Sequence, residues 1–331
     1  MSEKLFTLYE AAVMTDGKLD PGSRGFEDEK IFSVVVDSRE ARPGSLFVPL
    51  KGERTDGHLH IADAFERGCR VCLVDKSFFD EHCGEFSAYA DRFPGCAFLL
   101  VDSPLAALQT LAARYMEGRK VVRIGISGSN GKTTTKEITG AILAQEAPFF
   151  MNRGNLNSEI GLPLSVFEMK DEADFAVFEM GMNHEGEMDT LVDIVRPQAA
   201  LITNIGTAHI GMMGSLGNIA AEKKKLFLAL SPKQKAYVYE GESFKDFLKD
   251  GVAAEVLPFG EKSTTGFDDC EDLGLEGYSF SLGDRIVRFP LPGIYNLRNA
   301  LGAVSLCRGL GISEKAIQAG LQSVKPLFGR G

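Results

Sequence analysis

The chain has 331 residues, and 36 Lys and Arg set against 46 Asp and Glu leave a formal net charge of −10. That acidic balance excludes a general nucleic-acid binder, which needs a basic face to displace counterions. A hydrophobic share of 44% and a charged share of 25% fit a folded globular protein of two or three domains. No apolar run reaches the length of a membrane span, MSEKLFTLYE has no signal-peptide core, and six Cys in a chain this long make no disulfide framework. The expectation is a cytoplasmic, reduced protein with no membrane insertion.

In chain order, the first part, to about residue 115, reads as a small α/β unit. IFSVVVDSR ends a strand at Asp37, Ser38 and Arg39, and Pro43-Gly44 turns into a second strand, Ser45 to Leu50. The polar loop KGERTDGH leads to a helix with Ile61, Ala64 and Phe65 on one face, stopping near Gly68. CRVCLVD follows as a strand. Its Cys69 and Cys72 form a CxxC whose spacing is not repeated, which argues against a zinc site. Asp80 to Pro94 is polar and irregular and reads as a surface insertion. AFLLVD is a further strand, and Ser103 as N-cap with Pro104 in the first turn opens a helix to about Met116. MEGRK, Met116 to Lys120, is the linker, giving domains at residues 1–116 and 117–328.

Next comes IGISGSNGKTTTKEITGAIL, Ile124 to Leu143. Val121 to Ile126 reads as a buried strand, glycines bracket a tight loop, and Ile138, Ala141 and Ile142 recur at helical spacing. Strand, glycine-rich loop, Lys-Thr and helix make a phosphate cradle, because loop N–H groups and the positive helix end point at the anion. Lys132 can reach a terminal phosphate and the Thr133 hydroxyl can ligate Mg²⁺. Ile126 stands where the usual motif has its first Gly, leaving a shorter GxxGKT from Gly128 to Thr133.

Strands and helices keep alternating beyond the loop. The fold class is therefore α/β: a small N-terminal α/β domain, then a P-loop domain with a mostly parallel sheet and helices on both faces. Phe175 to Phe178 is a strand ending in Glu179. Ala199 to Thr203 is another, ending at Asn204, with His209 five residues on. Ligands gather at the carboxyl ends of such strands, so Glu179 and His209 fall on the rim of the phosphate loop. Glu179 is the natural carboxylate for Mg²⁺, which takes hard oxygen ligands and keeps several waters. Ala220 to Leu230 is helical, and its Lys223-Lys224-Lys225 reads by itself as a solvated face. SFSLGDRIVRF is a hairpin turning at Gly283-Asp284, and the tail from Asn299 is two short helices, the second N-capped by Ser313.

Several long segments occur here in the order found in Mur ligases. They are the phosphate loop, RGNLNSEIGLP, FEMGMNHEGEM, RPQAALITNIGTAHIGMMGS and YNLRNALGA. DSREARPGSLFVPLKGERTDGHLHIADAFERGC, Asp37 to Cys69, resembles the uridine-nucleotide-binding N-terminal domain of that family. Within the family, FEMGMNHEGEM and the GS-containing His segment resemble the branch that adds D-alanyl-D-alanine to UDP-N-acetylmuramoyl-tripeptide.

The resemblance implies an ATP- and Mg²⁺-dependent ligase acting through an acyl phosphate, with UDP-N-acetylmuramoyl-tripeptide and D-Ala-D-Ala as partners, working as a monomer. By motif, Gly128, Ser129, Asn130, Gly131, Lys132, Thr133 and Thr134 hold the triphosphate. Thr133 and Glu179 ligate one Mg²⁺, and His209 helps hold a second. Lys223 matches a lysine that the family carbamylates, turning an ammonium into a metal-orienting carboxylate, and so leaves the solvated-face reading. Lys132, Glu179, His209 and Lys223 form the catalytic set. Asn296 and Asn299 match an adenine-side Asn-x-x-Asn pair, and Ser38, Arg39, Asn155 and Asn157 match substrate-binding segments.

Three positions depart from the family: Tyr295 where His is common, Ser158 for the second Asn of a pair, and Lys225 where Glu is common. Family members continue into a third, Rossmann-like domain that begins near a Gly-Arg, and this chain reaches Phe328-Gly329-Arg330-Gly331. The expectation is that these residues bind UDP-substrate and nucleotide weakly and ligate slowly or not at all. The competing readings are a Mur ligase that adds a single amino acid, a folylpolyglutamate-synthase-like ligase, disfavoured by the DSR and DGH segments, and a non-catalytic binder of UDP-muramoyl peptides.

Overall fold

The computed structural model describes residues 3–23, 25–52, 55–170 and 172–325. Glu53 and Arg54 of the KGERTDGH loop, and Phe328 to Gly331 at the expected second-domain end, lie outside the described residues. The chain divides into two compact units, Met1–Gly118 with Pro163–Glu168, and Arg119–Leu162 with Met169–Gly331.

The first unit contains β1 (Phe6–Thr7), α1 (Leu8–Thr15), β2 (Lys18–Leu19), β3 (Lys30–Ile31), β4 (Ser33–Val35), β5 (Ser45–Phe47), α2 (Ile61–Glu66), β6 (Val71–Asp75), α3 (Lys76–Glu81), α4 (Cys83–Arg92), β7 (Ala97–Val101) and α5 (Pro104–Glu117). Its five-stranded sheet runs β2-β7-β6-β5-β4, parallel except where β2 pairs antiparallel with β7. Ser103 caps α5 through the Ala106 N–H, with Pro104 in the first turn. In β6 both faces are buried, and the thiols of Cys69 and Cys72 donate to backbone carbonyls of Ser45 and Leu73. Cys72 is in the core strand and Cys69 is buried just ahead of it, and burial pushes both thiols up.

The segment read as an irregular insertion, Asp80 to Pro94, is instead largely helical, the end of α3 and all of α4. Phe86 is buried, and its ring meets Phe79, Phe98 and Tyr89 at 4.6, 5.0 and 5.8 Å. His82, Phe86, Tyr89 and Phe93 recur at helical spacing, an aromatic stripe that intervening polar residues dilute below an average-hydrophobicity reading.

In the second unit the elements are β8 (Val122–Ser127), α6 (Lys132–Leu143), β9 (Phe149–Met151), α7 (Gly161–Val166, whose last residues belong to the first unit), β10 (Phe175–Glu179), α8 (Glu187–Val195), β11 (Ala199–Ile202), α9 (Ile210–Met213), α10 (Leu216–Leu228), β12 (Lys235–Tyr239), α11 (Lys245–Lys249), β13 (Glu255–Phe259), β14 (Phe267–Asp272), β15 (Tyr278–Leu282), β16 (Arg285–Phe289), α12 (Ile294–Gly309) and α13 (Glu314–Ser323). Six strands form an all-parallel sheet in the order β13-β12-β11-β8-β10-β9. After β8 the chain builds one side of the sheet, then crosses to build the other. The crevice at the carboxyl end of β8 is therefore the topological switch point where such sheets bind ligands.

Ile124 and Ile126 of β8, Ile138 and Ile142 of α6, and Leu201 of β11 share one buried core with α12, α13 and the hairpin sheet β14-β15-β16. The hairpin turns at Gly283-Asp284 as expected. The tail differs: α12 begins at Ile294 and runs 16 residues, so it is a long core helix, not a short one. Ser313 does cap α13. No helix among the described residues is long and apolar enough to cross a membrane.

Candidate active site

The loop Gly128 to Gly131 is pinched from two sides. Gly128 has φ +149°, and a Cβ there would stand 1.8 Å from the Thr203 hydroxyl; Gly131 has φ +79°, and its Cβ would stand 2.5 Å from Asn299 Oδ1. Only glycine allows these approaches. The N–H of Ser129 donates to Asn204 O at 3.0 Å and that of Asn130 to Asn204 Oδ1 at 3.1 Å. Those donors fasten the loop to the end of β11. The donors facing the crevice are those of the α6 N-terminus, where Gly131 offers no side-chain cap. Lys132 folds back over the loop, its Nζ donating to Gly128 O at 2.9 Å.

Glu179, 3% exposed, ends β10 beside this helix start. Its Oε2 accepts from Thr133 Oγ1 at 2.7 Å and its Oε1 from Asn157 Nδ2 at 2.7 Å. Two residues that sequence reasoning passed over hold it. The Asn152 side chain accepts from Glu179 N at 2.8 Å and donates to Glu179 O at 3.1 Å. Lys136, fully buried, donates to Asn152 O at 2.6 Å, with its Nζ 3.8 Å from Glu179 Oε2. A signal existed, since Lys136 follows Lys132 by four residues and so shares its helix face. Asn155 is exposed, but it lines one cavity of about 560 Å³ with Thr133, Thr134, Asn157, Glu179 and Asn296.

Lys223 is on α10, whose inward stripe is Ile219, Glu222, Lys223, Leu226 and Phe227. At 1% exposed, it is drawn down to about 7, first by burial and then by the positive charge of Lys132, with Glu222 opposing. His209 sits at φ +65°, and burial, then Lys132 and Lys223, hold its ring toward the neutral form. The positive charge of Lys132 thus acts on both His209 and Lys223, and that of Lys223 on His209. Lys225 is not simply solvated; it pairs with Glu222 at 2.6 Å and Asp189 at 2.7 Å. Lys224 lies over the Phe247 ring at 4.4 Å.

The low value for Lys223 carries a sign for stability. Between about 7 and the ordinary 10.5 the unfolded chain keeps this proton and the folded chain does not. Folding is then favoured increasingly as pH rises through that window, with no further change below it. The denaturation midpoint of the wild type is expected to rise from pH 7 to 9.5 relative to that of Lys223→Met, which removes the titrating group.

Beyond Gly131 and Asn299 lies a second cavity of about 640 Å³, bounded by Asn130, Ile205, Tyr239, Tyr295 and Arg298. The Arg298 guanidinium lies 4.7 Å from the Tyr239 ring centre and pairs with Glu261 at 2.9 Å. Asn299 is buried against the loop. Asn296 donates to Pro292 O at 2.7 Å, and Tyr295 is exposed where the two cavities meet. In the first unit, Ser38 is buried, and the exposed Arg39 grips Asp37 through two nitrogens, holding that carboxyl down at about 2.

A sequence profile of the Mur ligase middle domain matches residues 126–307, which include the loop, Glu179, His209, Lys223 and Asn299. The chain belongs to the Mur ligase family. A profile described as the Mur ligase family catalytic domain matches residues 30–115. The UDP-N-acetylmuramoyl-tripeptide–D-alanyl-D-alanine ligase of Treponema pallidum is 38% identical over 93% of this chain and 66% of its own length. MurF from Acinetobacter baumannii superposes with a TM-score of 0.87 at 32% identity, covering 98% of this chain and 69% of that one. MurF from Thermotoga maritima, solved with ADP, gives 0.75 at 26% identity, covering 89% and 66%. This Mur ligase chain thus spans about two thirds of the length of the curated relatives it matches.

Proposed function

We propose that this chain is an ATP-dependent ligase of peptidoglycan precursor synthesis, joining D-Ala-D-Ala to UDP-N-acetylmuramoyl-tripeptide in the cytoplasm as a monomer. The observation that carries this reading is the junction of the phosphate loop with Glu179, a hydroxyl, a carboxylate and a helix N-terminus converging at one point. The names borne by the relatives support the substrates, and the ADP in the Thermotoga protein supports ATP as nucleotide. Residues 1–116 are assigned to the UDP-substrate, with Ser38 and Arg39 as contacts. Residues 117–328 are assigned to ATP.

The tripeptide carboxylate attacks the γ-phosphorus, ADP departs, and an acyl phosphate forms. The D-Ala-D-Ala amine then adds to that carbonyl, the tetrahedral adduct gives up the amine proton to water, and it collapses to an amide as inorganic phosphate leaves. The chain positions and neutralises charge more than it bonds covalently. The α6 N-terminus and Lys132 hold the phosphates. Asn157 and Asn155 hold the UDP-linked substrate, and Asn296, Asn299 and Tyr295 border the base. Thr133 and Glu179 are hard oxygen donors suited to Mg²⁺, with His209 and a carbamylated Lys223 suited to a second ion. Mg²⁺ neutralises the β- and γ-phosphate oxygens when bound. At neutral pH a large share of the Lys223 amine is unprotonated, the form that adds to CO₂.

Phosphate release tests the reading. It should require ATP, the UDP-tripeptide and D-Ala-D-Ala together. Equal release with a single amino acid would move the assignment to the other Mur branch; slow or absent release with nucleotide and UDP-substrate still bound is the outcome expected of these residues, and binding of neither would overturn the reading.

A further inference from the structure

Glu222 and Lys225 are not in the catalytic set, yet they join two helices at the Lys223 end of the crevice. Helix α8 begins at Gly186 with no side-chain cap of its own. The Glu222 carboxylate reaches across from α10 and supplies one. Its Oε1 accepts from Gly186 N at 3.0 Å and Met188 N at 2.9 Å, while its Oε2 takes the Lys225 ammonium at 2.6 Å. Lys225 continues to Asp189 Oδ2 at 2.7 Å on the first turn of α8. At 2% exposed, Glu222 has left water, and these donors replace its hydration. The neighbouring residue on α10 is Lys223, which feels Lys132. The segment ahead of α8 is looped back on itself, Asn183 N donating to Glu187 Oε2 at 2.5 Å.

We propose that Glu222 is a positioning residue, clamping the N-terminus of α8 to α10 and so fixing Lys223 and the Asn183–Glu187 turn against the γ-phosphate end of the nucleotide site. Lys225, three residues on along the same helix face, completes the clamp by bridging Glu222 to Asp189. The proposal rests on the reading that Lys132 and Lys223 serve the terminal phosphate.

The test uses the full chain as wild type, Glu222→Gln, Glu222→Ala and Glu222→Ala/Lys225→Glu. It measures ATP and ADP affinity with Mg²⁺ by calorimetry and amide hydrogen exchange over residues 183–188. Leaving the Gly186 and Met188 donors unpaired should speed exchange there roughly tenfold in Glu222→Ala. ATP should bind about tenfold more weakly, and ADP should stay within about twofold, because ADP does not reach the Lys223 end. Glu222→Gln should fall between, and Lys225→Glu in the alanine background should bind ATP no better than Glu222→Ala, because a carboxylate at 225 lies against Asp189 and removes the cation that holds the two helices. Equal loss of ATP and ADP would mean a general structural role and would overturn the proposal, as would unchanged exchange at 183–188. A wild type that binds neither nucleotide would sink the ATP-site reading instead, and the exchange arm would still decide whether the clamp exists.

Discussion

Replacing Lys132 with alanine is expected to lower ATP-dependent phosphate release roughly 10²–10³-fold, the usual cost of losing one preorganised charge from the transition state. The fold should hardly notice. Lys132 is part-buried, and its ammonium donates to the Gly128 carbonyl of its own loop. A melting temperature close to wild type with lost turnover would therefore separate chemistry from folding. UDP-substrate binding should persist, since Ser38 and Arg39 belong to the other unit. Arginine is expected to rescue little, because a planar fork does not replace a compact ammonium folded over a tight loop. Full turnover by Lys132→Ala would refute the assignment.

The opposite pattern is expected of Lys136→Met, which should cost about 3–5 kcal/mol of stability, because it strips the cation from a buried pair. Glu179 would keep its hydrogen bonds to Thr133 and Asn157 but lose the ammonium 3.8 Å away, and Asn152 O would lose a donor at 2.6 Å. Denaturant unfolding measures the loss. A double-mutant cycle with Glu179→Gln apportions it: the pair should lose clearly less than the sum of the singles, since an uncharged amide no longer needs the cation. Strict additivity would mean that Lys136 stabilises the fold through Asn152 and Glu137 and not through Glu179.

Much of the fold was legible because its signals are local. The alternation of apolar strands with 3.6-period helices, the Ser103-Pro104 start of α5, the Gly283-Asp284 hairpin and the Ser313 cap each depend on a few adjacent residues. The misreadings came where the deciding signal was spread out. Asp80 to Pro94 averages polar, but its aromatics share one face. The start of α12 falls just after Gly293, where a positive φ and the preceding Pro292 set the boundary, five residues before the Asn299 expected from sequence.

The site divides along the same line. Gly128 to Thr134, Glu179 and His209 were expected at the site from a loop motif and from strand ends, whereas Lys223, Asn296 and Asn299 entered only through the family resemblance. The sequence by itself determined that a phosphate loop, a carboxylate and a set of cations exist, and that a parallel sheet would bring them to one rim. Only tertiary structure decided what grips them. Asn152 on the backbone of Glu179, Lys136 behind its carboxylate, Glu222 on the start of α8 and Thr203 against Gly128 act across 27, 43, 34 and 75 residues of chain. Burial is the reason. A charged group leaves water only when folding delivers its partners, and those partners come from whichever strands and helices the topology sets beside it. A phosphate loop can be recognised from its own residues, whereas the groups that hold it ready are chosen by the sheet order.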